Sequence, residues 1–421
     1  MPICSTSRQK NTENNKHIIL LGDGGMGKST LLLDACTKMK NALYISLEYL
    51  VTIGYGIEQY CAQIVYEGKI QQFKDFVRTE YSTASLILIV DGLNEVDAVA
   101  ERRFINELKQ LNLLKGIQIV VSSRSDFTSR YSMAGYRNAK LLPLTDKQII
   151  PLFTKKEWKE IVNKPTLHHL LGNPMMVTMY KKISPIIERN REVEFLQWRE
   201  PITNATDLLH NYYMAQIAVL MNREASNGTV VIKAARCVMD ILPFLAYQFE
   251  RSYRLNYLNR DLRNLIEISI KYAPFNKDMI DALMEHFREG NNRLTAEETV
   301  DILINELHLL HRVGGYTGFS HQIYRDYLSA YWITHETERT SNIDPIWNIR
   351  SIPYPVMEHI RNLSGAYWHG IAEKIHVAGK NRNDVFYLVF PNAWVRQLRA
   401  FQVCVGAIPV GGKGFVVLPS A

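Results

Sequence analysis

Five short runs of nearly unbroken hydrophobic residues mark the first third of the chain, at positions 17–21, 42–47, 86–90, 117–121 and 140–144, with stretches of helical character between them. A strand with one face in water alternates apolar and polar residues, whereas a strand covered on both faces is apolar throughout. Runs of the second kind alternating with helices predict a parallel sheet covered on both sides, a doubly wound α/β domain that takes ligands at the carboxyl ends of its strands. Beyond residue 145 the β signal fades, and helical spacing covers residues 146–153, 155–162, 175–182 and 206–223. After the turn at Asn227-Gly228, helices are predicted over 230–249, 259–273 and 295–310. Two short extended runs about a glycine turn follow at 310–318, and then an amphipathic helix at 319–334. Helices, a small hairpin and a closing helix are the layout of a winged helix. The end of the chain, 386–421, is rich in β-branched residues, Gly and Pro and predicts no regular helix.

Composition narrows the class. With 421 residues, 47% of them hydrophobic and 22% charged, the chain has material for several packed units and is not of disordered type. A net charge of +7 is compatible with nucleic-acid contact without indicating it. The five cysteines are scattered, odd in number and without Cys-x-x-Cys or paired His spacing, so neither a disulfide framework nor a zinc site is expected. No segment has the length and apolarity of a membrane span, and the first residues lack the apolar core of a signal peptide; a soluble, cytoplasmic protein is expected.

The first hydrophobic run leads into Gly22-Asp23-Gly24-Gly25-Met26-Gly27-Lys28-Ser29-Thr30, and a helix-forming stretch follows at once. This is a P-loop in its proper setting of strand, glycine loop and helix, and it predicts binding of a nucleoside triphosphate with Mg²⁺. Glycines let backbone N–H groups approach the phosphates and supply the positive-φ turns this needs. The helix N-terminus adds its unpaired N–H groups and dipole, Lys28 reaches the terminal phosphates, and Ser29 is the Mg²⁺ ligand. The second glycine cluster, Gly411-Gly412-Lys413-Gly414, has no Lys-Ser/Thr and no helix behind it, and reads as a loop.

The run at 86–90 ends in Asp91-Gly-Leu-Asn-Glu95. Asp91 is placed to orient the Mg²⁺ shell, and Glu95 to polarise the attacking water. The run at 117–121 ends in Ser122-Ser-Arg124. In P-loop folds with an additional strand, this strand lies between the loop strand and the Asp91 strand, so Arg124 is either a reader of the γ-phosphate or a plain loop arginine. Gly172-Asn173-Pro174 by itself is a helix start, with Asn as N-cap and Pro at the first helical position. His321 by itself is a helix-terminal histidine beside an apolar stripe.

Taken in order after the P-loop, Asp91-Gly-Leu-Asn-Glu95, Ser123-Arg124, Gly172-Asn173-Pro174 and Phe319-Ser-His321-Gln-Ile-Tyr-Arg-Asp-Tyr-Leu-Ser-Ala330 resemble the NACHT branch of the STAND signal-transduction ATPases. The likeness spans roughly residues 16 to 335, and relatives of this kind include bacterial antiviral proteins and animal inflammasome-type sensors. The resemblance implies an additional-strand sheet near order 5-1-4-3-2, followed by helical and winged-helix domains. It makes Pro174 a contact to the nucleotide base and His321 a contact to the β-phosphate of ADP. It also implies an ATP/ADP-dependent switch in innate immune or anti-phage defence, closed with ADP and self-assembling with ATP, with slow hydrolysis. One departure is Asn94, where the family carries a second acidic residue.

The expected organisation is an extension over 1–16, a P-loop domain over 17–145, a helical domain over 146–226, a winged-helix domain over 227–335 and a tail over 336–421. Neither end offers an effector domain or a long repeat sensor, so a short C-terminal region that does the sensing, unknown trigger and effector partners, or a chain that is a fragment, are the expectations. Rival readings are an AAA+-type motor, a small-molecule kinase, for which no acceptor pocket is evident, and a nucleotide-loaded module that does not hydrolyse.

Overall fold

A computed structural model of the chain describes residues 3–5, 17–39, 41–67, 69, 71, 86–96, 98–114, 116–124, 133–223, 227–252, 254–271, 276–290, 293–341, 344–347 and 353–365. By contact density the chain divides into two compact units, Met1–Ser329 and Ala330–Ala421. The site lies in the first. The expected irregular ending at 386–421, with its second glycine cluster, lies outside the described residues.

The central sheet contains β1 (Ile3–Ser5), β2 (His17–Leu21), β3 (Ala42–Ser46), β4 (Leu86–Asp91), β5 (Ile117–Ser123) and β6 (Tyr136–Leu141), in the order β1-β6-β2-β5-β4-β3. Apart from β1, which pairs antiparallel to β6, all neighbours are parallel. Numbered along the chain, the five parallel strands therefore run 5-1-4-3-2, as expected, and β5 separates the loop strand from the Asp91 strand. This is an α/β P-loop NTPase fold.

The near-continuous apolar strands are explained by burial on both sides. Side chains alternate across a pleated strand, so Ile19, Leu21, Leu88, Val90, Ile119 and Val121 join one core. That core is closed by α2 (Leu47–Ile53), α3 (Ile57–Tyr66) and α4 (Ala98–Leu111), through Leu50, Ile57, Phe104 and Leu108. Leu20 and Ile89 point the other way and pack with Met26 and Leu32, the latter on the loop helix α1 (Lys28–Lys38). The sheet thus holds the glycine loop by its anchoring residues on both sides: Leu21 before it and Met26 within it are buried.

Downstream, α5 (Pro174–Asn190) and α6 (Ala205–Met221) pack as neighbours in a helical segment. Then α7 (Leu242–Ser252) precedes a three-stranded antiparallel sheet of β7 (Asn256–Leu258), β8 (Leu310–Val313) and β9 (Tyr316–Phe319), in the order β7-β9-β8. The closing helix α8 (Gln322–Thr340) follows β9. Hairpin and closing helix match the winged-helix layout read from the sequence, with β7 as an added strand.

Several boundaries move for local reasons. The fifth strand is Tyr136–Leu141 rather than 140–144, because Pro143 has no N–H to give a ladder and the strand stops before it. The helix expected over 295–310 is α-helical only over Ala296–Asp301, continues as a π segment over Ile302–Glu306, and is ended by His308 at φ 53°. The run expected over 230–249 carries a π segment at Cys237–Ile241. Pro243 cannot bond back to Met239, whose carbonyl instead accepts from Asn276 Nδ2 at 3.0 Å. The closing helix begins at Gln322, not 319, since Phe319 belongs to β9. Helices α2, α3 and α4 fill the stretches of helical character expected between the strands, for which the hydrophobic pattern set no bounds.

Candidate functional site

The loop from Gly22 to Gly27 leaves the carboxyl end of β2, and two of its glycines are left-handed, Gly25 at φ 76° and Gly27 at φ 82°. A β-carbon is strained in that region, which accounts for glycine at both positions. Gly27 is the N-cap of α1, so Lys28, Ser29 and Thr30 form the helix's first turn with Ser29 and Thr30 exposed. Lys28 Nζ donates to the carbonyls of Gly22 at 2.7 Å and Asp23 at 3.1 Å, folding the ammonium over its own loop.

Asp91 ends β4 and is buried, and both of its carboxylate oxygens accept hydroxyl hydrogen bonds. Tyr44 OH, from the neighbouring β3, donates to Oδ2 at 2.7 Å. Ser122 Oγ, from β5 on the other side, donates to Oδ1. The Ser122 proton points at Asp91, because an ionised carboxylate only accepts, while the same Oγ accepts from Gly92 N–H at 2.9 Å. The carboxylate is thereby held in one orientation and retains lone pairs for the water shell of a metal.

Glu95 lies on the 3-10 turn after β4, reached through the left-handed Gly92 at φ 86°. Burial raises its carboxyl to about 6, and the charges of Asp91 and Glu48 push it the same way against the pull of Lys28 and Arg124. Burial likewise lowers the Lys28 ammonium, an effect that Glu95 opposes and the Arg124 charge reinforces. Lys28, Glu95, Asp91 and Arg124 are therefore within electrostatic reach of one another. Two cations that repel across a desolvated site fit a bound anion, and so the residues present suit a triphosphate. Among the described residues no three His, Cys, Asp or Glu cluster to hold a metal. Mg²⁺ needs no such cage, since it binds nucleotides through one or two protein oxygens, phosphates and water, and Ser29 and Asp91 could serve as such oxygens.

Arg124 follows β5 directly, and its guanidinium Nη2 donates to Asp326 Oδ2 of α8 at 3.2 Å. Gly172-Asn173-Pro174 lies against the loop itself. Asn173 Nδ2 donates to Gly24 O at 2.8 Å, Met175 N to Gly25 O at 3.3 Å, and Asn173 Oδ1 caps α5 by accepting from Met175 N at 3.0 Å. Pro174 is the first residue of that helix. A side chain on Gly25 would collide there, its β-carbon falling 2.7 Å from Met175 Cβ, whereas one on Gly24 meets nothing within 4 Å. The open side of the loop is thus at Gly24 and the closed side at Gly25.

His321 stands apart from this group. It lies just before α8, its ring edge-on to Tyr324 at 5.3 Å, and partial desolvation by the protein packed around the ring, with the charge of nearby His311, lowers its pKa. Among the described residues no hydrogen bond or ion pair joins it to the glycine loop. Tyr44, Ser122, Asn173, Met175 and Asp326 were not singled out as site residues by sequence. Ser122, Asn173 and Asp326 sit inside stretches that read as motifs, and Asn173 by itself reads as a helix cap.

No family model and no curated protein matches the sequence. Distant likenesses exist among solved structures. Cdc6p from Pyrobaculum aerophilum is 12% identical over 77% of this chain and 88% of that one, with a TM-score of 0.29. The Aeropyrum pernix Orc1 protein in complex with DNA is 11% identical over 77% and 88%, at 0.31. RuvB from Thermotoga maritima is 13% identical over 73% and 86%, at 0.23. The strand order and the loop define the fold without them.

Proposed function

We propose that the chain is an ATP/ADP-operated switch with slow hydrolysis, of the kind its NACHT-like motifs imply. Lys28, the loop amides, Ser29 and Thr30 hold the phosphates, Ser29 and Asp91 the Mg²⁺ shell. Glu95 takes the proton of the attacking water, and Arg124 meets the terminal phosphate. Mg²⁺, when bound, neutralises charge on the phosphate oxygens.

The observation that carries this reading is the Asn173–Gly24 hydrogen bond with its companion from Met175 to Gly25. The phosphate loop is gripped by the first turn of α5, so a change in the loop is a change in the docking of the helical segment. Shifting such a pair of states from 1:99 to 99:1 takes about 5.5 kcal/mol of differential binding. Charge-assisted hydrogen bonds contribute roughly 1.5–3 kcal/mol each, so Arg124 and two or three further contacts are sufficient. His321 belongs to the reading as the group that approaches the β-phosphate when the clamp is closed. Self-assembly with ATP and a role in defence follow from the resemblance alone.

Lys28→Ala should abolish co-purification of nucleotide, and stoichiometric release from the denatured variant would show the site to be misassigned. Turnover decides between switch and motor. A switch hydrolyses slowly, and faster only as protein concentration promotes assembly; steady rapid hydrolysis at low concentration would instead establish an AAA+-type motor.

A further inference from the structure

The charges around Arg124 are arranged for more than phosphate contact. Its partner Asp326 is only 1% exposed and its second oxygen, Oδ1, accepts no hydrogen bond among the described residues. The adjacent Arg325 does not supply that need, because it is committed to Glu250 at 2.6 Å in a pair that is itself buried. Asp326 even works against that pair: after burial, its charge is among the influences that raise the Glu250 carboxyl. Neutralisation of Asp326 therefore falls to Arg124, 202 positions earlier in the chain. The same guanidinium acts in the other direction on Lys28 and Glu95. It is incompletely used, with a buried Nε that makes no hydrogen bond among the described residues. One cation thus stands between a buried carboxylate on α8 and the phosphate site.

We propose that Asp326 sets the preference of this site between nucleoside di- and triphosphate by competing with the γ-phosphate for Arg124, an inference that rests on the nucleotide site proposed above. With a diphosphate bound, nothing contests the Arg124–Asp326 pair and α8 stays docked. A terminal phosphate draws the guanidinium away, and Asp326 is left as an unpaired charge in the interior, which is strongly unfavourable. That state is relieved only when the start of α8 lifts and Asp326 meets water. The triphosphate is penalised while α8 is docked, and the diphosphate is not. Asp326 is a positioning residue, acting on the nucleotide only through Arg124.

Titrations with fluorescent N-methylanthraniloyl-ADP and the matching non-hydrolysable ATP analogue, in Mg²⁺, test this without relying on turnover. Asp326→Asn should tighten the triphosphate analogue relative to the diphosphate by about tenfold or more, the change expected from one charge-assisted hydrogen bond. Asp326→Ala should do the same and serves if the asparagine variant does not fold. Asp326→Glu keeps the charge and should stay near the wild-type ratio. In an Arg124→Gln background the Asp326→Asn substitution should leave the ratio unchanged. An equal shift for both nucleotides, or a ratio shift that persists without Arg124, would overturn the role of Asp326. Binding that is the same in wild type and Lys28→Ala would overturn the nucleotide site and this inference together. Loss of binding in Lys28→Ala with no ratio change in Asp326→Asn would overturn the inference alone.

Discussion

Replacing Gly25 with alanine probes how the phosphate loop and α5 are joined. Gly25 has φ 76°, a conformation that costs an L-residue about 1–2 kcal/mol. The new β-carbon would lie 2.7 Å from Met175 Cβ and 2.9 Å from Asn173 Oδ1. Neither neighbour can swing aside, since Met175 Cβ is one bond from the main chain and Asn173 Oδ1 is occupied in capping α5. The clash is relieved only by moving the start of α5 off the loop. That movement breaks the bonds from Asn173 Nδ2 to Gly24 O at 2.8 Å and from Met175 N to Gly25 O at 3.3 Å. At about 1 kcal/mol for each hydrogen bond, together with the backbone strain, the expected destabilisation is about 3–4 kcal/mol. Gly24→Ala is the control: its β-carbon meets nothing within 4 Å, and the change should stay within about 0.5 kcal/mol. Urea denaturation of the nucleotide-free protein gives the comparison. Trp198 is a suitable fluorescent reporter, its Nε1 donating at 2.9 Å to the carbonyl of Asn190 at the far end of α5. If the two variants unfold within 0.5 kcal/mol of each other, the loop is not gripped as described.

Four further outcomes follow from other groups in the structure. Below about 4.5 Glu95 is protonated in both folded and unfolded chains, and between 4.5 and about 6 only the unfolded chain ionises it; Glu95 thus erodes stability as pH rises through that window and no further above it. If Glu95 is the base, hydrolysis should rise across pH 5–7 and the rise should vanish in Glu95→Gln; an unchanged profile in that variant would remove it from the mechanism. Arg325→Ala leaves Glu250 buried without its partner and should cost about 3–5 kcal/mol in calorimetric or urea unfolding, most of it recovered when Glu250 is also replaced by leucine. Tyr44→Phe removes one of the two hydroxyl donors to Asp91 and should cost about 1.5–3 kcal/mol; it should also raise the Mg²⁺ concentration needed for nucleotide binding, and a variant with wild-type stability and Mg²⁺ dependence would show that Tyr44 does not orient the carboxylate.

Much of the site was legible because its parts are local. Gly22–Thr30 is a contiguous loop whose chemistry depends on spacing alone, and Asp91 and Glu95 are separated by one tight turn at Gly92. The helices α2, α3 and α4 were legible only as helical character without bounds, for the opposite reason. Each buries only one stripe against the sheet, with residues such as Leu50, Phe104 and Leu108, and polar residues between them dilute the hydrophobic run.

Sequence alone determined the fold class, because strands covered on both faces read as nearly continuous apolar runs and a phosphate loop carries glycines where φ is positive. It located the glycine loop, the carboxylates and the arginine that the structure places at the ends of β2, β4 and β5 for the same local reasons. Which groups meet was decided only by tertiary structure. Asn173 reaches Gly24 across 149 positions and Arg124 reaches Asp326 across 202, and no periodicity or spacing encodes a pairing between distant segments. The assignment of His321, just before the closing helix, to the β-phosphate rests on the NACHT resemblance. Packing adds Asp326, beyond His321 in the same motif, buried against Arg124, since a carboxylate removed from water needs a cation and the end of β5 supplies one.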